Sequence, residues 1–133
     1  MKKGYKDNIE KATLENRDFR KVVYTAKHCQ IVLMSLAPGV EIGEEVHVDG
    51  DQFFRFEKGE GEVIINETEY QVSDGDSVVV PAGAKHNVIN TLATEALKLY
   101  TIYAPPHHKD KIIRATREEA EAQEASFDGS TTE

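Results

Sequence analysis

The sequence has 133 residues and lacks several features that would place it among secreted or membrane proteins. Cys29 is the single cysteine, so no intrachain disulfide can form and a reducing compartment is the simplest expectation. No apolar run approaches the roughly 18 residues that a membrane-spanning helix needs. The segment 1–11 is charged and polar without an apolar centre, so we expect no signal peptide and a cytoplasmic location.

Positive charge is also scarce, because the formal net charge is −8. A nucleic-acid backbone is therefore not an expected partner. Much of the negative charge is local: segment 116–133 holds six acidic side chains and one arginine, so the remainder of the chain is closer to neutral. We expect a small-molecule substrate and neither a nucleic acid nor a membrane as partner.

What the sequence does contain is a series of short runs with strand character, separated by glycine and proline. They are predicted at 19–24, 30–36, 45–47, 52–56, 62–66, 69–72, 77–80, 86–90 and 97–103. Many short strands at short spacing indicate an all-β sandwich or barrel. The run 116–119 then forms a capping box, which predicts a C-terminal helix to about Ala125.

These patterns predict one domain with four parts. The segment 1–17 is an irregular lead-in or an edge element, and 18–106 is the β-barrel. The segment 107–125 is a loop followed by the helix. The segment 126–133 is a polar tail that we expect to be disordered.

Spacing alone brings three candidate ligands together near the middle of the chain. Glu45 and His47 stand two apart in a strand-like run, so their side chains leave the same face. Asp49-Gly50 follows, which predicts a tight hairpin turn that places His47 opposite Gln52. Opposed residues of an antiparallel pair share a face, so a metal-binding geometry is predicted from these residues.

Two motifs in the chain resemble those of the cupin superfamily. The first motif reads Gly, five residues, His-x-His, three or four residues, Glu, six residues, Gly. Its spacing is matched by Gly39, Glu45, His47, Gln52 and Gly59. The second motif reads Gly, five residues, Pro-x-Gly, two residues, His, three residues, Asn. It is matched by Gly75, Pro81, Gly83, His86 and Asn90. Fifteen residues separate the motifs, as in compact bacterial members. The resemblance implies a single cupin jelly-roll barrel with its site inside the mouth.

The resemblance also implies a metal-ligand set of Glu45, His47, Gln52 and His86. Glu45 stands where most metal-binding cupins have their first histidine, and Gln52 stands where they have glutamate. The set is similar in ligand type to that of phosphomannose isomerases of the cupin class, which place Gln first and Glu third. The chain therefore resembles a small single-domain bacterial cupin of the phosphomannose-isomerase-like kind.

Each of these four residues also has a purely structural interpretation. Glu45 can belong to a solvated polar face, and His47 can be a histidine whose hydrogen bonds are satisfied within the core. Gln52 can orient Glu45 or His47 instead of binding the metal, because an amide oxygen is a weak ligand. His86 can be an ordinary loop histidine.

Four further residues are candidates for the surroundings of the site. Phe54 and Phe56 lie on the inward face of the predicted strand 52–56 and are expected to line the pocket, an arrangement compatible with a simple barrel core. His107 and His108 follow two prolines, which favours an exposed loop leaving the barrel. Alternatively, one of them reaches the mouth as an acid/base or a substrate contact.

A mixed nitrogen and oxygen ligand set suits Mn, Fe, Ni or Zn. A divalent ion of this kind acts as a Lewis acid on a carbonyl, which suits an isomerase or decarboxylase of a small carbonyl or sugar-acid substrate. Two alternatives stay open: a non-catalytic small-molecule-binding cupin with a structural or vestigial metal, and a metal-dependent dioxygenase. The resemblance further implies a homodimer.

Overall fold

The computed structural model describes residues 1–133 and consists of two antiparallel sheets and two short helices. The strands are β1 Arg20–Thr25, β2 Gln30–Leu36, β3 Glu45–Val46, β4 Asp51–Lys58, β5 Glu60–Ile65, β6 Thr68–Ser73, β7 Ser77–Val80, β8 Lys85–Asn90, β9 Leu97–Ala104 and β10 Ile113–Arg114. The helices are α1 Ile9–Glu15 and α2 Arg117–Ala122. One sheet has the strand order β10-β1-β2-β9-β4-β7, and the other has the order β3-β8-β5-β6. The predicted all-β jelly roll with a C-terminal helix is confirmed.

The core lies between the two sheets and follows the two-residue period of the strands. Along β9, buried residues alternate with half-buried ones over its first seven positions, so one face of the strand looks inward. Both sheets contribute to a single cluster of buried apolar side chains, including Met34 of β2, Phe56 of β4 and Val88 of β8. Burial of this apolar surface is the main force that closes the barrel.

The inner face of the central pair β4 and β9 changes from apolar to polar along the barrel. Its inward pairs, from the polar end, are Gln52 with Tyr103, Phe54 with Thr101, and Phe56 with Leu99. All six side chains are buried. One end of the barrel is therefore a packed apolar floor, whereas the other end is a mouth lined with polar groups.

The predicted hairpin at Asp49-Gly50 is wrong. β3 pairs with β8 in one sheet, and β4 pairs with β7 and β9 in the other, so the turn carries the chain between sheets. Both edges of β4 are already hydrogen-bonded, which leaves no edge on which β3 could add. The carbonyl of His47 accepts instead from the amide of Gly83, at 2.9 Å.

Both termini are more structured than the sequence predicts. Part of the lead-in forms α1, whose first turn is capped by Asn8 through the Lys11 amide at 3.0 Å. In the segment 126–133, for which we expected disorder, Thr132 exchanges two hydrogen bonds with Thr25: its Oγ1 accepts from the Thr25 amide at 2.8 Å, and its own amide donates to the Thr25 carbonyl at 2.9 Å. The Glu133 carboxylate accepts from the Tyr24 hydroxyl at 2.6 Å. The contacts of the C-terminal tail join residues far apart in sequence, so no local pattern predicts them.

The C-terminal helix begins as predicted and ends early. Thr116 accepts from the Glu119 amide at 3.1 Å, which is the predicted N-cap. The helix ends at Ala122 and not near Ala125: the backbone of Gln123 leaves helical geometry, and its carbonyl accepts from two nitrogens of the Arg114 guanidinium at 3.0 and 2.7 Å. Neither helix has the length and apolar character required to cross a membrane.

Candidate metal centre

Three of the four predicted ligands meet at the mouth of the barrel. Glu45 of β3 lies directly opposite His86 of β8 in the ladder, and His47 follows two residues after Glu45. Ligand atoms of the three side chains all lie within 4.8 Å of one another. The arrangement thus comes from the β3–β8 pairing and not from the hairpin that the sequence suggested.

Hydrogen bonds fix the orientation of both imidazole rings. Nδ1 of His86 lies 3.0 Å from the carbonyl oxygen of Ala84, which can only accept, so Nδ1 carries the proton. The lone pair of His86 is therefore on Nε2, which leaves that nitrogen free to bind a metal. Nε2 of His47 lies 3.1 Å from Oε2 of Glu45, and the two imidazole centroids are 5.2 Å apart.

The electrostatics of Glu45 and His86 favour the metal-binding protonation states of these two side chains. Burial acts to raise the pKa of Glu45, but the hydrogen bond and charge of His47, together with the charges of Arg20 and His86, outweigh it and lower that pKa. Burial lowers the pKa of His86, partly opposed by the hydrogen bond to Ala84. The site accordingly offers an ionised carboxylate and a neutral imidazole, the forms in which these side chains bind metals.

Gln52 approaches from the opposite sheet and has an unused buried oxygen. Its Nε2 donates to Oγ1 of Thr101 at 2.9 Å, and that hydroxyl donates in turn to the Phe53 carbonyl at 2.8 Å. Because the Thr101 hydroxyl donates to a carbonyl, it accepts from Gln52, and this identifies Nε2 and Oε1 of the Gln52 amide. Oε1 of Gln52 is buried without a hydrogen-bond partner, which costs about 1–3 kcal/mol unless something binds there. Two imidazoles, one carboxylate and this free oxygen fit a divalent transition metal.

The aromatic residues predicted to line the pocket lie at different depths. Both are fully buried. The ring of Phe54 is 6.3 Å from that of His86, measured between centroids, and so lies beneath the site. The ring of Phe56 stacks behind Phe54 at 6.3 Å and belongs to the barrel floor.

The two consecutive histidines that follow β9 have separate environments. His107 reaches the mouth, with its ring 4.4 Å from that of His47 and 5.3 Å from that of Tyr103. His108 is buried, and its Nε2 lies 3.2 Å from the Tyr103 hydroxyl. Burial lowers the pKa of His108 to about 2, so its ring is neutral. The exposed loop that we considered for this pair therefore holds for His107, whose side chain is exposed at the mouth, and is wrong for His108.

Comparison with known proteins agrees with the fold. The family model described as "Cupin domain" matches residues 32–103, more than half of the chain. This chain is a cupin.

Two curated relatives and one solved structure illustrate the similarity. YrkC of Bacillus subtilis is 46% identical over 123 residues, covering 88% of this cupin and 66% of YrkC. L612 of Acanthamoeba polyphaga mimivirus is 42% identical over 107 residues, covering 78% of this cupin and 67% of L612. The crystal structure of BH2720 from Bacillus halodurans has a TM-score of 0.88 and 39% identity, covering 91% of this cupin and 96% of that chain. This cupin thus spans about two thirds of the length of the two curated relatives, whose names state no activity.

Arg20 is a site residue that the sequence reasoning missed. It lines a cavity of about 320 Å³ beside the ligand trio, together with Glu45, His47 and His107. Glu124, just beyond α2, lines the same cavity. Strand alternation places Arg20 on the face of β1 that also carries the buried Val22, and this was the available signal.

Proposed function

We propose that this cupin binds a divalent transition metal and uses it in an enzymatic reaction on a small carbonyl or sugar-acid substrate. The ligands are Glu45, His47 and His86, with Oε1 of Gln52 as the fourth. The observation that carries the proposal is the convergence of three ligand atoms within 4.8 Å, with His86 already held in the correct tautomer. Mn, Fe, Ni and Zn all suit these donors.

The bound ion would supply Lewis-acid polarisation of a substrate carbonyl, which suits isomerisation or decarboxylation. The protein contributes the rest of the site. Glu45 offsets part of the positive charge, while the hydrogen bond from His86 to Ala84 holds that ring in place. His107 lines the cavity, where its ring can contact a substrate. The likeness to phosphomannose-isomerase-like cupins is part of this proposal and concerns ligand type only.

One observation favours a second candidate, a cupin that binds a small molecule without catalysis. Glu45 and His47 already satisfy each other through a contact of 3.1 Å, so this part of the site is stable without an ion. A structural or vestigial site would have no exchangeable coordination position, whereas a catalytic one keeps such a position open.

Elemental analysis of purified and metal-loaded protein tests the proposal. His47→Ala and His86→Ala should lose the bound metal, because each removes one of three converging donors. His28→Ala is the control, since it removes an exposed histidine from a turn outside the site and should retain the metal. The proposal fails if the wild-type protein binds no more metal than His86→Ala.

Loading with Mn²⁺ then separates the two candidates. An exchangeable water on the ion enhances the relaxation of solvent protons, and a closed site does not. Clear enhancement in the wild-type protein supports the enzyme. A loaded protein without enhancement supports the non-catalytic cupin.

A further inference from the structure

The cavity beside the ligand trio is small and carries one strong positive charge. Its volume of about 320 Å³ lies near the lower end of the roughly 300–1,000 Å³ found for small-molecule sites. Glu45 and His47 form one wall, and Arg20 contributes the guanidinium. Two of its nine lining residues are hydrophobic, so an apolar ligand would find few partners there.

The guanidinium of Arg20 has no acidic partner within the protein. None of the ion pairs in the structure involves Arg20. Its Nε is buried without a hydrogen-bond partner, although the side chain is only half-buried as a whole. A buried donor of a charged group is costly to leave unpaired, so a site of this kind favours a ligand that accepts from it.

The carboxylates that share the cavity do not neutralise Arg20. Oε2 of Glu45 is engaged by His47 at 3.1 Å, and Glu124 is exposed and forms no ion pair with Arg20. The backbone of Arg20 is fixed by pairing of β1 with Arg114 of β10. The backbone position is thus fixed, and the guanidinium, whose Cζ lies 5.5 Å from the centroid of the Phe19 ring, forms no ion pair within the protein.

The charge of Arg20 acts on the groups that surround the ligand trio. Burial is the largest influence on the pKa of each of these groups, and the positive charge of Arg20 acts on each in the direction that lowers it. The groups are Glu45, Tyr103, His107 and His108. This pattern agrees with a guanidinium directed toward the mouth of the barrel.

We infer that Arg20 binds the carboxylate of a small substrate, which assigns the substrate class as short carboxylic acids. A guanidinium matches a carboxylate through two parallel hydrogen bonds, and this geometry fixes orientation as well as affinity. With its carboxylate on Arg20, a molecule that fits the cavity lies against Glu45 and His47, two members of the ligand trio that line the same cavity. The direction of binding rests on the proposed metal site, whereas the contact with Arg20 does not.

Calorimetric titration of Mn²⁺-loaded protein with pyruvate and with pyruvamide tests the inference. The two probes share the ketone and differ in charge, so only pyruvate should depend on the guanidinium. Arg20→Gln should weaken pyruvate binding by about 10- to 100-fold, the range expected for hydrogen bonds to a charged group. Arg20→Lys should weaken it less, because a point charge remains.

Lys21→Gln is the matched control. It removes one positive charge from the next position of β1, on the opposite face of the strand, and should leave pyruvate binding unchanged. Manganese content and pyruvamide binding should be unchanged in all three variants. Equal pyruvate affinity in Arg20→Gln and the wild-type protein would overturn the inference, as would absence of pyruvate binding by the loaded wild-type protein.

The same titration on metal-free protein separates this inference from the proposed function. If the wild-type protein holds no manganese, the proposed function fails. Pyruvate binding that disappears in Arg20→Gln would still support the carboxylate contact. Pyruvate binding that is insensitive to Arg20 in both forms of the protein would refute it.

Discussion

Gln30 should be one of the most costly polar residues to replace, because it holds the segment that carries His107. Its side chain is fully buried, and all four hydrogen-bonding positions of the amide are used. Nε2 donates to Oγ1 of Thr25 at 2.9 Å and to the His108 carbonyl at 2.7 Å. Oε1 accepts from the amides of His107 at 3.2 Å and His108 at 3.0 Å.

Gln30→Leu removes these four bonds and keeps a side chain of similar size. At a net contribution of about 0.5–1.5 kcal/mol for each bond, the free energy of unfolding should fall by about 2–6 kcal/mol. Such a loss is a large part of the roughly 5–15 kcal/mol that stabilises a typical domain. Urea denaturation followed by far-ultraviolet circular dichroism measures it.

Two variants control this measurement. Gln30→Glu keeps both accepted bonds but loses the two donated ones and buries a carboxylate, so it should also destabilise the protein. Gln71→Leu removes an exposed glutamine with one long bond of 3.4 Å to Glu62, and it should change stability by less than about 0.5 kcal/mol. If Gln30→Leu costs no more than Gln71→Leu, the amide does not anchor the histidine segment and the reasoning is wrong.

Three further predictions concern packing, the metal and assembly. Gly61→Ala should destabilise the fold by about 1–3 kcal/mol in urea denaturation, because a Cβ would lie 2.7 Å from the Ile89 carbonyl oxygen and 2.8 Å from a methyl carbon of Leu97. Gly50→Ala, whose Cβ would meet nothing closer than 3.6 Å, should cost less; the reverse order would contradict this packing. Gln52→Leu should weaken metal binding in a competition titration at least about tenfold, and unchanged affinity would exclude Oε1 as a ligand. Light scattering after size exclusion should give twice the mass of one chain if the barrels pair through their edge strands; a single-chain mass would refute the dimer.

The sequence predicts much of the fold because the informative patterns are local. Alternation identifies the inward face of β9, and glycine and proline mark the strand ends. The spacing of the second cupin motif selects His86, which the structure places opposite Glu45. In these cases the residue type and its neighbours along the chain contain the necessary information.

The remaining features depend on contacts between distant segments. The Asp49-Gly50 pair carries a valid local signal for a hairpin, but the signal cannot show that β7 and β9 already occupy both edges of β4. Arg20 was missed because a charged residue on a strand is usually directed to solvent. The tail was expected to be disordered because its composition is polar, whereas it is held by bonds such as that from Tyr24 to Glu133.

The change from polar to apolar along the inner face of β4 and β9 separates two kinds of evolutionary constraint. Substitutions near Phe56 and Leu99 act on the packed floor, so they are expected to change folding stability first. Substitutions near Gln52 act on the polar end, where they change the groups around the ligand trio. New ligands and new reactions can therefore arise at one rim of this barrel while the opposite end keeps the protein folded.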